Sequence, residues 1–312
     1  MKQQRLLIAS VVIFIIFYVL VLFWRGVENA LLFQSSERIN ILLYGVEPTL
    51  ISMGMADHVN YIIRFDNNIK TYAPGGYGIY GIGGLGKLSS LEKDPDLLRR
   101  AFSLMTGAHV DYHLYPKNIS VYYETDFTKG FSPTKSALIF ALFSSSVKSN
   151  ARFLDKMFLF TKILGQRKID YVRLKTSVVE NDSKENLFDT DGFFKSYQGF
   201  FYKKKLRDDD ASVQIQYKEN YRAAKNIARV LDGEGIRVSD IDSSQEYEDV
   251  SDCVLRYKTS SERIQHSDTD VAIRNVLNQH CISNDGKMFK IEPSDSFDIV
   301  VVLSSRIEEM WR

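Results

Sequence analysis

From Leu6 to Trp24 the chain runs about 19 residues without a charge, mostly Leu, Ile, Val and Phe. A helix of that length spans a hydrocarbon core of about 30 Å, and it satisfies its own backbone hydrogen bonds, as lipid demands. Lys2 and Arg5 precede the run, and Glu28 and Glu37 follow it. The positive-inside pattern then places residues 1–5 in the cytoplasm and the remainder of the chain outside. The competing reading is a cleaved signal peptide. The run is longer than the usual apolar region of such a peptide, and no clear small-x-small site follows it, which favours an anchor.

The 312 residues suffice for one large or two medium domains. With 40 basic and 39 acidic residues and no basic face interleaved with aromatics, the composition argues against a nucleic-acid binder. Only Cys253 and Cys281 are present. They are too few for a structural zinc site, and a disulfide and two separate buried thiols are both compatible with the sequence.

The apolar run Ile39–Val46 reads as a strand buried on both faces. Residues 59–65 and 69–73 read as a hairpin turning at Asp66-Asn67-Asn68, with Pro74 ending the second strand. Asp94, Pro95 and Gly107 bracket a helix whose apolar face is Leu97, Leu98, Ala101, Phe102 and Met105. "HVDYHLYP" reads as a strand, and residues 133–142 and 152–164 as helices. Residues 166–210 are polar and lack a sustained period, so they are expected to be a linker, with Lys203–Lys205 and Asp208–Asp210 solvated. From Ala211 the pattern predicts a second unit of order βαββαβ.

The stretch "TYAPGGYGIYGIGGLGKLSS" satisfies G-x-G-x-x-G twice and falls one residue short of a P-loop, with Leu88 where Ser or Thr is needed. A dinucleotide loop needs a helix that starts inside the motif. Here the next expected helix starts near Asp94, and the segment lies outside the membrane on the topology above. A nucleotide site is therefore not expected.

Taken together, the anchor, "NILLYGV", the acid in "GMADHVNYIIRFD", "APGGYGI" with a following "GKL", and "LLRRAFSLMTGAHVDYHLY" resemble the LytR–CpsA–Psr family. The unit at 211–304, with "AAKNIARVLDGEGIRV" and "FDIVVVLS", resembles the LytR C-terminal domain. The resemblance implies an α/β (α+β) ectodomain with a central mixed sheet at 39–165, behind a stalk at 25–38. It also implies a small βαββαβ domain at 211–304 and a tail at 305–312.

It further implies an extracytoplasmic cell-envelope protein that moves a glycopolymer from a polyprenyl-phosphate carrier to the wall, with Mg²⁺ offsetting the leaving charge. Asp57 matches the family acid, as base or metal ligand. Lys87 matches a loop lysine, and Arg152 is the one basic residue kept in register with a later arginine-rich segment. Lys87 and Arg152 are thus the phosphate or lipid candidates. Gly75 and Gly76 stand where the family has an arginine and an aspartate. Each lost arginine removes charge-assisted bonds of about 1.5–3 kcal/mol. The expectation is a pseudoenzyme that binds the lipid-linked precursor with weak or no transfer. The alternative is a non-enzymatic scaffold that binds wall polymer or a protein partner.

Overall fold

The computed structural model describes residues 37–117, 134–165, 170–181, 184–243, 253–258, 264–265, 267–278, 281–283 and 296–312. The apolar run 6–24 lies outside them. Among the described residues no helix is long and apolar enough to cross a membrane.

The fold is mixed α/β. β1 (Arg38–Leu43), β2 (Thr49–Gly54) and β3 (Asn60–Arg64) form an antiparallel meander. β6 (Tyr112–Pro116) runs parallel to β1, β7 (Val147–Ser149) lies antiparallel on β6, and β8 (Tyr171–Leu174) is parallel to β3. The order across this sheet is β7-β6-β1-β2-β3-β8. Alternation along β1 sends Ile39, Ile41 and Leu43 to one core and Leu42, followed by Tyr44, to another. The first core is closed by α3 (Lys135–Phe143) and α4 (Phe153–Gly165), through Leu138, Leu142, Leu159 and Ile163. The second is closed by α2 (Asp96–Thr106), through Leu97, Leu98, Ala101, Phe102 and Met105, the apolar face expected from the sequence.

A second sheet, β5-β4-β10-β9, is built from β4 (Lys70–Ala73), β5 (Gly78–Gly81), β9 (Val178–Glu180) and β10 (Asn186–Phe188). The expected hairpin is therefore not formed, because β3 pairs with β2 and β8 while β4 pairs with β5 and β10. The Asp66–Asn68 turn carries the chain from one sheet to the other, with the Asn68 N–H donating to Asp66 Oδ1 at 2.9 Å. Residues 166–210 are likewise not an open linker. They supply β8, β9 and β10, α5 (Thr190–Tyr197) and α6 (Lys204–Asp208). These strands are only three or four residues long, too short for a period to register.

A third sheet, β12-β11-β15-β13-β14, holds the C-terminal elements: β11 (Ser212–Tyr217), α7 (Tyr221–Glu234), β12 (Arg237–Ser243), β13 (Cys253–Tyr257), α8 (Asp268–Val276), β14 (Cys281–Ser283), β15 (Ile299–Val302) and α9 (Ser305–Trp311). β14 and α9 are additions to the expected order. β13 and β14 are parallel with Cys253 opposite Cys281, and the two residues are bonded in a disulfide.

The N-terminal and C-terminal units share a packed junction. Leu104 of α2 belongs to the C-terminal core. A Cβ on Gly233 of α7 would lie 1.7 Å from the Gly107 carbonyl oxygen and 2.7 Å from its carbon. Both atoms are backbone, so neither can swing away. Gly233→Ala is expected to lower stability by about 1–3 kcal/mol in urea unfolding, an overpacking cost. That outweighs the helix-propensity gain of about 1 kcal/mol. A stabilised Gly233→Ala variant would contradict this packing.

Candidate functional site

Asp57 sits in the turn after β2, half exposed. Its Oδ1 accepts the Val59 N–H at 3.0 Å, and its Oδ2 accepts from Arg38 Nη2 at 2.5 Å. Arg38 is 3 % exposed, and the stalk assigned to residues 25–38 must therefore end before it. Its Nη1 donates to Ser52 Oγ and the Val59 carbonyl, each at 3.2 Å, and the guanidinium carbon lies 4.9 Å from the centre of the Tyr61 ring. A Cβ on Gly54 would sit 1.8 Å from Asp57 Oδ1, so the preceding glycine is needed for the acid to fold back.

The arrangement neutralises a buried guanidinium. Both carboxylate oxygens accept hydrogen bonds, and among the described residues no group of three His, Cys, Asp or Glu stands close enough to share a metal ion. Asp57→Ala is expected to cost about 1–3 kcal/mol by leaving Arg38 without its carboxylate. Thermal unfolding of that variant beside Asp57→Asn measures the loss.

In the glycine stretch, Gly75, Gly76 and Gly78 have φ of 95°, 76° and 85°, which only glycine adopts without strain. The Gly75 N–H donates to the Arg312 carbonyl at 3.2 Å, and a Cβ on Gly76 would meet Arg312 Nη2 at 2.7 Å. The backbone that follows forms a 3₁₀ turn at Ile82–Gly84 and then α1 (Leu85–Leu91). A helix thus does begin inside the second motif, contrary to the expectation that the next helix starts near Asp94.

The turn still offers no cradle for a phosphate. The buried Tyr44 hydroxyl accepts the Gly86 N–H at 2.8 Å and lies 2.9 Å from the Gly83 carbonyl and 3.1 Å from that of Ile82. A phenol occupies the position an anion would take.

The three sequence candidates do not converge. Asp57 is bound to Arg38 at the start of β1, whereas Lys87 lies on α1, which the Tyr44 hydroxyl fixes at the far end of β1. Six strand residues separate those ends, about 20 Å. Lys87 is exposed. Arg152 comes three residues after the end of β7, whose Ser149 is in register with Leu114 and, through it, with Leu43 of β1. Its side chain is exposed, and its N–H donates to Asp155 Oδ2 at 3.1 Å, closing the first turn of α4.

A buried polar cluster at the junction was not foreseen. Lys203, expected to be solvated, has a side chain only 14 % exposed. Its Nζ lies 2.6 Å from Glu234 Oε2 and 3.9 Å from Asp111 Oδ1. The Asn40 N–H donates to Asp111 Oδ2 at 2.7 Å, the Asn40 amide to the His109 carbonyl at 2.8 Å, and the His109 N–H to Glu234 Oε1 at 3.1 Å. Burial, followed by the opposing pull of Lys203, sets the Glu234 carboxyl at about 7. Burial also raises Asp111 and holds His109 well below its ordinary value, hence neutral.

Neighbouring Asp209 accepts the Thr269 N–H and hydroxyl at 3.0 and 2.8 Å, so the acidic run there is partly structural too. The available signal in the sequence was polar residues inside strand-like runs: Asn40 in "RINILL", Asp111 in "HVDYHL", and Glu234 between two glycines.

Several solved structures match about half of the chain. They include B. subtilis TagT (13% identity, 52% of this chain, 88% of that one, TM-score 0.36) and B. subtilis TagU (8%, 53% and 96%, 0.37). A third is described as LytR-CPS2A-psr family protein YwtF (TagT) with bound octaprenyl pyrophosphate lipid (14%, 52% and 90%, 0.36). These neighbours are LytR-CPS2A-psr family proteins. No protein-family model and no curated protein matches the sequence.

Proposed function

We propose that this chain is a membrane-anchored, extracytoplasmic envelope protein of LytR–CpsA–Psr type. In this reading it binds a polyprenyl-phosphate-linked glycopolymer precursor and transfers it weakly or not at all. Motif resemblance supports the binding. The anchor reading is supported by the apolar run Leu6–Trp24 and by the disulfide between Cys253 and Cys281, a bond that persists in oxidising compartments.

One observation carries the loss of transfer. The acid that the resemblance singles out, Asp57, is committed to the buried Arg38, while Lys87 and Arg152 stand apart from it. Diphosphate transfer needs several cations preorganised around the leaving group. In this reading the Arg38 contact withdraws Asp57 from the role of base or metal ligand.

The test is turnover. Full-length chain in vesicles, given a polyprenyl-diphosphate sugar and Mg²⁺, is expected to release no polyprenyl phosphate above a protein-free control. Release that disappears in Asp57→Asn would overturn the proposal.

A further inference from the structure

Helices α3 and α4 bury one side each against the six-stranded sheet, but their outer sides are not polar. Phe140 and Phe143 on α3 are 64% and 44% exposed, and Phe153, Met157 and Leu164 on α4 are 70%, 38% and 49% exposed. On α4 the positions Phe153, Met157, Phe160 and Leu164 recur at intervals of four, three and four, which makes one continuous stripe. Phe143 meets Phe160 edge-on at 5.6 Å, joining the stripes of the two helices into a single patch. A patch of this kind on a soluble surface marks something that covers it.

The charges around the patch indicate what that is. Between Thr134 and Gly165 there are five cations, Lys135, Lys148, Arg152, Lys156 and Lys162, and one acid, Asp155. Asp155 is 4 % exposed and turned onto the Arg152 N–H, so the surface charge of this segment is all positive.

We propose that the α3–α4 surface docks onto an anionic lipid bilayer, with its aromatic stripe at the acyl–headgroup boundary and its lysines among the phosphates. An apolar stripe set among cations is the complement of such an interface. A second copy fits the same stripe less well, because it would bring two positive surfaces together. The inference rests on the anchor reading above. Residues 25–36 span at most about 40 Å, which would hold the domain within reach of the lipid to which the apolar run ties it.

The experiment uses the full chain, carrying an environment-sensitive fluorophore on Met157→Cys or, as control, on Leu91→Cys, which lies at an exposed position on α1. Each is reconstituted in phosphatidylglycerol–phosphatidylcholine vesicles containing spin-labelled lipid. The label at 157 is expected to be quenched several-fold more than that at 91. The excess is expected to fall in pure phosphatidylcholine and in Lys156→Glu/Lys162→Glu. Equal quenching at both positions, in a chain that floats with the vesicles, overturns the docking surface and leaves the anchor intact. A label at 157 that ignores lipid quencher but shifts with protein density identifies a second copy and overturns it as well. A chain that floats with neither lipid overturns both readings.

Discussion

Lys203→Met is expected to destabilise the folded chain by about 3–5 kcal/mol at pH 8, read from the urea midpoint in detergent. The substitution keeps the volume of the side-chain stem and removes the charge that lies near both Glu234, which is 1 % exposed, and Asp111. Arg99 then remains the cation acting on Asp111, and the buried Glu234 must either carry an unpaired charge or take up a proton to stay folded.

The sign of the pH dependence follows from Glu234. Its folded value is about 7 against 4.5 in the unfolded chain, so the folded state binds more protons between those values. The stability contributed by this group is full below pH 4.5 and is lost as pH rises through about 7. Without Lys203 the carboxyl holds its proton more tightly still, and the Lys203→Met penalty is expected to shrink at pH 5. Lys203→Met/Glu234→Gln is expected to regain most of the loss at pH 8. A penalty below about 1 kcal/mol, or one that does not change with pH, would show that the cluster does not hold the two units together.

The second large effect is at the disulfide. Cys253→Ala/Cys281→Ala, or reduction, is expected to cost about 3–4 kcal/mol, the loop-closure entropy for a separation of 28 residues. The bond fastens the three-residue edge strand β14 to β13, and both sulfurs are buried, so each alanine also leaves a small void. Hydrogen exchange is expected to show β14 and α8 losing protection before β11 and α7. Uniform protection after removal of both cysteines would contradict this local role.

Long periodic elements were legible in the sequence because one side chain in two, or three or four in seven, reported a buried face. The helical case holds for α2 and α7, while β1 was legible as an unbroken apolar run whose residues are buried on both faces. The short strands β8, β9 and β10 were not legible, since three or four residues cannot distinguish a strand from a polar linker. The pairing of β3 away from β4 was hidden for another reason: a turn signal says where the chain bends and nothing about which strand it then meets.

At the candidate site the sequence supplied Asp57, Lys87 and Arg152 as a set. The fold places Asp57 after the central strand β2, Lys87 on the helix beyond the far end of β1, and Arg152 after the edge strand β7. Arg38, which answers Asp57, was lost in what looked like a stalk. Lys203 was lost in a charge run whose three lysines look alike until one of them meets Glu234, 31 residues away. The glycine stretch failed as a phosphate cradle for a reason no motif contains, a tyrosine 42 residues earlier that fills its turn.

The most direct measurement of the central claim is equilibrium binding of a radiolabelled polyprenyl diphosphate to the full chain, followed by recovery and chemical analysis of the bound lipid. The account predicts saturable binding with the lipid recovered intact, in wild type and in Lys87→Ala alike. No saturable binding would contradict it and favour an envelope scaffold. Recovery of polyprenyl phosphate in place of the diphosphate would contradict it in the other direction, by showing that transfer chemistry survives.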